Sequence, residues 1–296
     1  MPDSFSRAII GCLNISGTET MSISIQRVAG ALGAEIGDVD LSEGLSDATI
    51  AEIRQALLDH KVIFFRDQDI TPEQHLAFAK RFGDVVEYPM VKGLDEVPEI
   101  VPVVKLAHET TNFGGMWHSD TSYLECPPMG AILVARELPP YGGDTLFANM
   151  ALAYERLSDG MKEMLSGLIG ISSSAKAEVT KSREDRMATD AKVDKSAELR
   201  AEHPVVRTHP ETGEKVLYVN YGHTVGFKGF TEEESAPILN YLFEHQRRPE
   251  FTCAFRWQPG SIAFWDNRAT HHNPLNDYHG FKRVMHRITI AGDRPT

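Results

Sequence analysis

SIAFWDNRATHHNP, residues 261–274, joins an apolar run, Ile262 to Trp265, to a polar turn and an adjacent histidine pair, His271 and His272. A short run of large apolar residues without polar interruption reads as a buried strand. Ligand-type side chains at the mouth of such a strand sit where binding sites form. If the strand continues through the pair, its side chains alternate, so the two histidines face opposite ways and at most one of them joins a given site.

Similar runs recur along nearly the whole chain: VIFFRD (62–67), VPVVKL (101–106), GAILVARE (130–137), DTLFAN (144–149), GLIGIS (167–172), PVVRTHP (204–210), KVLYVN (215–220), FTCAFRW (251–257) and RVMHRITIAG (283–292). Turn signals such as PPYGGD, HPETGE and QPGS separate them. Helices interrupt at a few places. LSDATIAEIRQALLDH (45–60) carries Ile50, Ile53 and Leu57 at helical spacing, Thr71–Gln74 (TPEQ) is a capping box with proline at the first helical position, and Thr231–Glu234 (TEEE) opens a helix towards LNYLFEHQ. The expectation is a mainly β fold with flanking helices, a jelly roll or related barrel forming one domain over residues 21–296. Residues 1–20 lack periodicity and read as a leader, with Met21 a candidate start. Residues 172–202 are charged, poor in aromatics and without strand alternation, and read as a solvated helical insertion or as a lid over a substrate.

Composition narrows the function classes. The formal charge of −12, from 30 basic and 42 acidic side chains, speaks against nucleic acid or an anionic membrane as partner. Any anion must be recognised by a few placed cations. Cys12, Cys126 and Cys253 are scattered, giving neither a disulfide framework nor zinc-type spacing, as expected for the cytoplasm. No apolar run reaches the ~18 residues of a membrane span.

A second motif, NFGGMWHSDTSY (112–123), places His118 and Asp120 two residues apart. On a strand they would share a face and could hold one ion together. With one histidine of the 271/272 pair they would make two imidazoles and a carboxylate, the facial set of non-haem Fe(II) oxygenases, which leaves positions open for a co-substrate and dioxygen. Further on, Arg283, Met285 and Arg287 fall on one face of a strand. Two same-facing arginines in an apolar run are costly unless they meet anions, and a guanidinium suits a carboxylate or a sulfonate.

With these residues in place, the chain resembles the taurine/phenoxyacetate-herbicide dioxygenases, which depend on Fe(II), 2-oxoglutarate and O2. The resemblance runs from about Ile25 to Pro295, with WHSDTSYLECPPMGAIL, LPPYGGDTLFAN, HPVVRTHPETGEKVLYVN, WDNRATHHNP and RVMHRITIAGDRP in family order and spacing. It implies a double-stranded β-helix, cupin-like core. It implies His118, Asp120 and His272, rather than His271, as the metal ligands and catalytic centre. Thr145 and Arg283 match the residues that hold the far carboxylate of 2-oxoglutarate, and Arg287 matches the one that grips the sulfonate of taurine. Trp117 and Trp265 would pack and shape the site, and Asn267 and Arg268 would be structural.

Four pocket positions depart from taurine dioxygenase. Tyr88 stands in place of a histidine, Val91 of a tyrosine, Gly114 of an asparagine, and His223 of a phenylalanine. The substrate implied is another small organic anion: a sulfonate, an alkyl sulfate, an aryloxyalkanoate or a further organic acid. The implied reaction is hydroxylation coupled to conversion of 2-oxoglutarate into succinate and carbon dioxide, in a cytoplasmic homodimer or tetramer. The rival readings are a cupin-like metal-dependent hydrolase or isomerase, and a sensor that binds metal or 2-oxoglutarate without turnover.

Overall fold

The computed structural model describes residues 22–87, 91–112, 114–176 and 198–296. The leader, Tyr88 and the centre of the 172–202 stretch lie outside these residues. In chain order the elements are β1 (Ser24–Arg27), β2 (Ala34–Gly37), α1 (Asp47–His60), β3 (Val62–Phe65), α2 (Pro72–Lys80), β4 (Val85–Val86), β5 (Val101–Lys105), β6 (Gly130–Glu137) and β7 (Thr145–Asn149). Two helices follow, α3 (Met150–Glu155) and α4 (Asp159–Leu165), then β8 (Ile169–Ser173), β9 (Arg200–Pro204), β10 (Val206–Thr208), β11 (Lys215–Leu217) and β12 (Thr224–Phe227). After α5 (Glu232–Gln246) come β13 (Thr252–Phe255), β14 (Ile262–Asp266), β15 (Thr270–Pro274) and β16 (Arg283–Ile290).

The main sheet runs β1-β2-β3-β14-β6-β16-β4, with β5 added alongside β16. Alternation along its strands separates two cores. Ile63 and Phe65 of β3, Ile262 and Phe264 of β14, and Ile288 and Ile290 of β16 pack against Ile50, Ile53 and Leu57 of α1 and Phe78 of α2. Val62, Phe64, Ala263, Trp265 and Met285 point the other way, onto Phe147 and Phe255 of a second sheet ordered β13-β7-β15. Phe64 stacks on Phe255 with ring centroids 3.9 Å apart. The site therefore has two facing sheets to be built from, with helices closing the outer side of one of them.

Both capping boxes form. Thr71 accepts from the Gln74 amide while the Gln74 side chain accepts from the Thr71 amide, and Thr231 and Glu234 do the same. Two features differ from the sequence reading. Helices α3 and α4 were hidden because each is too short to show a periodic face. The ends of the charged stretch 172–202 are strands: β8 and β9 pair antiparallel, with Ser173 opposite Arg200. No helix among the described residues is long and apolar enough to cross a membrane.

One buried side chain in the helical layer is titratable. Burial, reinforced by Arg136 and His286, pushes the pKa of His75 on α2 down to about 3. The unfolded chain, with His75 near its ordinary value of about 6.5, binds the proton more tightly than the folded one. Its contribution to stability is therefore complete above pH ~6.5 and is lost as pH falls towards 3. The thermal midpoint should drop across that window, and His75→Leu should make the drop shallower; an unchanged slope would show that His75 is not a source of it.

Candidate metal centre

Asp120, His118 and His272 each offer a ligand atom, and these atoms lie within 4.8 Å of one another. His118 Nε2 is 3.7 Å and His272 Nε2 4.0 Å from Asp120 Oδ1. The two histidine segments are joined through their backbones. The His118 amide donates to His272 O at 3.0 Å and the His272 amide returns a bond to His118 O at 2.8 Å. This is an isolated bridge rather than a strand. His118 sits in that bridge, and the chain turns only beyond Asp120, with Thr121 at φ 42°.

On β15 the register decides between the paired histidines. His272 lies opposite Phe147 and His271 opposite Ala148 on β7. Phe147 faces the inner core, so His272 points to Asp120, while His271 points to the far side of the small sheet. The ring of His272 packs 4.8 Å from that of Trp265. Trp117 lies away from the ligands, on the outer cluster with Ala148 and Ala269.

The protonation states suit a cation. Burial first, and then the neighbouring His118, hold the pKa of His272 well below its usual value, so its imidazole is neutral. Burial alone would raise Asp120, but the Arg287 guanidinium outweighs it and keeps the carboxyl ionised. His118 Nδ1 lies 2.7 Å from Met116 O. Only a protonated Nδ1 can bond to a carbonyl, which leaves the Nε2 lone pair for a metal.

Asn267 acts on Asp120 directly, beyond the structural part expected of it. Its Nδ2 donates to Asp120 Oδ2 and its Oδ1 accepts from the Asp120 amide, each at 3.3 Å, while Trp265 Nε1 fixes that Oδ1 at 2.9 Å. Behind it, Asp266 accepts from Arg268 Nε at 2.8 Å and Nη2 at 2.7 Å, and lies 3.0 Å from His209 Nε2. Arg268 also reaches Glu211 at 2.7 Å. This buried charge cluster holds the turn that carries Asn267.

Beside the three ligands opens a cavity bordered by Gly114, His118, Thr145, His272, Arg283 and Arg287, with Val103, Val104 and Leu133 as apolar wall. Thr145 Oγ1 accepts from Trp257 Nε1 at 3.0 Å, which frees its own proton for a ligand. Arg283 is buried beside it, with Nε lacking any hydrogen-bond partner. Arg287 Nη1 donates to Asp120 Oδ1 at 3.1 Å. His223 is not part of the wall: it packs edge-on behind His118, ring centroids 5.9 Å apart. Trp257 and a buried lysine, Lys105, belong to the site without having been singled out in the sequence, and Asn267 belongs to it although it was singled out only as structural.

The family model for taurine catabolism dioxygenases, TauD and TfdA, matches residues 24–289. The chain belongs to that family. An alkylsulfatase of Acinetobacter baylyi is 36% identical over 292 residues, covering 94% of this chain and 87% of the relative. An alpha-ketoglutarate-dependent sulfate ester dioxygenase of Pseudomonas putida is 36% identical, covering 93% and 91%. A crystal structure of a taurine dioxygenase from Burkholderia xenovorans superposes with a TM-score of 0.78 at 39% identity, covering 93% of each chain. Membership brings with it a metal ion and 2-oxoglutarate, and the residues present fit both: a two-histidine, one-carboxylate donor set, and a buried guanidinium with an unused donor.

The ligand assignment is open to a direct check by Fe(II) titration. His272→Ala should remove measurable binding while His271→Ala retains it. Asn267→Ala should weaken binding by about 10–100-fold, the usual effect of losing a group that orients a ligand.

Proposed function

We propose that this chain is an Fe(II)- and 2-oxoglutarate-dependent dioxygenase that hydroxylates a small anionic organic substrate, with alkyl sulfate esters as its substrate class. The observation that carries the reading is the meeting of His118, Asp120 and His272 at a cavity with Thr145 and Arg283 on its wall. Bound Fe(II) would supply activation of dioxygen, coupled to oxidative decarboxylation of 2-oxoglutarate to succinate and carbon dioxide. The protein's part is placement and exclusion of water.

Thr145 and Arg283 would hold the far carboxylate of 2-oxoglutarate through the free hydroxyl proton and the unused Nε donor. Arg287 stands on the same face, at the metal end of the cavity, and would anchor the anionic head of the primary substrate. The apolar wall of Val103, Val104 and Leu133 suits an alkyl chain, in keeping with the alkylsulfatase of Acinetobacter and the sulfate ester dioxygenase of Pseudomonas. Gly114 keeps the space beside His118 open. His223 supports the ring of His118 rather than touching substrate. The two facing sheets are the halves of a double-stranded β-helix, and the acidic composition with its scattered cysteines favours a cytoplasmic enzyme.

Hydroxylation at the carbon bearing the ester oxygen would give an α-hydroxy sulfate, which collapses to an aldehyde and free sulfate. Purified protein with Fe(II), ascorbate and 2-oxoglutarate should therefore release succinate, stimulated by alkyl sulfates above sulfonates, aryloxyalkanoates and simple organic acids, with aldehyde and sulfate in equal amounts. Stimulation by a different class would displace the sulfate ester assignment. Absence of succinate with Fe(II), together with turnover on zinc, would replace the oxygenase by a hydrolase or isomerase.

A further inference from the structure

Lys105, the last residue of β5, is 2% exposed, and its Nζ has no hydrogen-bond partner. Among the described residues no carboxylate lies within ion-pair distance of it. Nζ lies over the face of the Tyr278 ring, 4.4 Å from its centroid. A buried ammonium without an acceptor is among the costliest groups a fold can carry. Lysine side chains normally bring the head group to water instead.

The register shows what Lys105 stands beside. β5 pairs with β16 so that Lys105 lies directly opposite Arg283. Paired residues project from the same face of the sheet, and both side chains border the cavity next to the metal ligands. Arg283 is also incompletely bonded: its Nε has no partner and its Nη2 reaches Gly143 O only at 3.3 Å. Like charges facing each other across a ladder repel unless an anion lies between them. Two buried, adjacent, under-bonded cations therefore mark one anion site.

Distance along the strand assigns the anion. Arg287, bonded to Asp120, is four residues further along β16, a span of ~13 Å of strand. An anion touching both Lys105 and Arg283 thus sits at the end of the cavity remote from the metal ligands. We infer that Lys105 is a second cation for the far carboxylate of the dicarboxylic co-substrate, closing with Arg283 and Thr145 on the group that tells 2-oxoglutarate from 2-oxo acids lacking it. The inference rests on the functional reading above and adds to it a residue that sets co-substrate selectivity.

Calorimetric titration of the Mn(II)-loaded protein with 2-oxoglutarate, and with 2-oxopentanoate, which has the same chain without the far carboxylate, tests it. In Lys105→Met, and in Lys105→Gln as a second neutral variant, affinity for 2-oxoglutarate should fall roughly tenfold or more, the usual weight of a charge-assisted bond. Affinity for 2-oxopentanoate should stay the same, and Lys105→Arg should recover much of the loss. Without ligand, Lys105→Met should melt no lower than the wild type, because an unsatisfied charge has been removed; a lysine with a purely structural part would show the reverse. Equal binding of 2-oxoglutarate by wild type and both neutral variants, or equal loss of both acids, would overturn the assignment. So would a rise in KM for the sulfate ester alone, which would move Lys105 to the primary substrate. A wild type that takes up Mn(II) yet binds no 2-oxoglutarate would sink the functional reading itself, and this inference with it.

Discussion

Two backbone hydrogen bonds between His118 and His272 tie the metal centre together. They join a loop in the first half of the chain to a strand near its end, and they fix the spacing of the two imidazoles before any metal arrives. Each segment is then held by a different sheet. β15 is locked to β7, which in turn pairs with β13, while Asp120 is held through Asn267 by the turn leaving β14 in the main sheet. The site is thus a seam between sheets whose inner faces already pack on Phe64, Phe147 and Phe255. Rigidity of the ligands follows from packing that has no part in the chemistry.

Burying this much charge needs compensation, and the molecule supplies it unevenly. Behind Asn267 the compensation is complete: Asp266, Arg268, His209 and Glu211 satisfy one another in a closed network. At Asp120 it is partial, with Arg287 and the two imidazoles facing a single carboxylate. At Lys105 and Arg283 it is lacking, although both side chains are nearly fully buried. The gradient runs from scaffold to cavity. A buried polar group that satisfies its neighbours builds the framework, whereas one left under-bonded beside a void is waiting for a ligand.

Much of this was legible in the sequence because it was local. The strands β3, β6, β14 and β16, the capping boxes at Thr71 and Thr231, and the shared face of Arg283 and Arg287 all follow from spacing within a dozen residues. What could not be read depends on register between distant strands. Local spacing left His271 and His272 equivalent as ligands, and family resemblance was needed to separate them; in the fold, pairing with β7 does so. Nothing near Lys105 in sequence marks it, and only the pairing of β5 with β16 places it opposite Arg283. Asn267 was assigned to structure because nothing nearby in sequence shows that its amide spans both the backbone and the carboxylate of Asp120. The His-x-Asp spacing was legible, but not the two-bond bridge to His272 that fixes His118 in place of a longer strand.

Two glycines approach the His118 side chain closely, one at its ring and one at its Cβ, and this bears on selectivity. A Cβ at Gly222 would lie 2.8 Å from His118 Cβ, and one at Gly114 would lie 2.9 Å from His118 Cε1, with Gly114 at φ 69° besides. Gly222 lets the loop carrying His223 close against the back of the ligand; its amide bonds to Trp117 O at 3.0 Å. Gly114 is on the cavity side, where the resemblance to taurine dioxygenase would put an asparagine. A polar side chain there would occupy space beside the metal ligand and offer hydrogen bonds to a small, polar substrate. Its absence takes away both, leaving the apolar wall of Val103, Val104 and Leu133 to set what fits. On the function proposed above, a cavity that lacks a polar contact next to its reactive centre while keeping its arginines would favour an anion with a greasy body, such as an alkyl sulfate, over taurine.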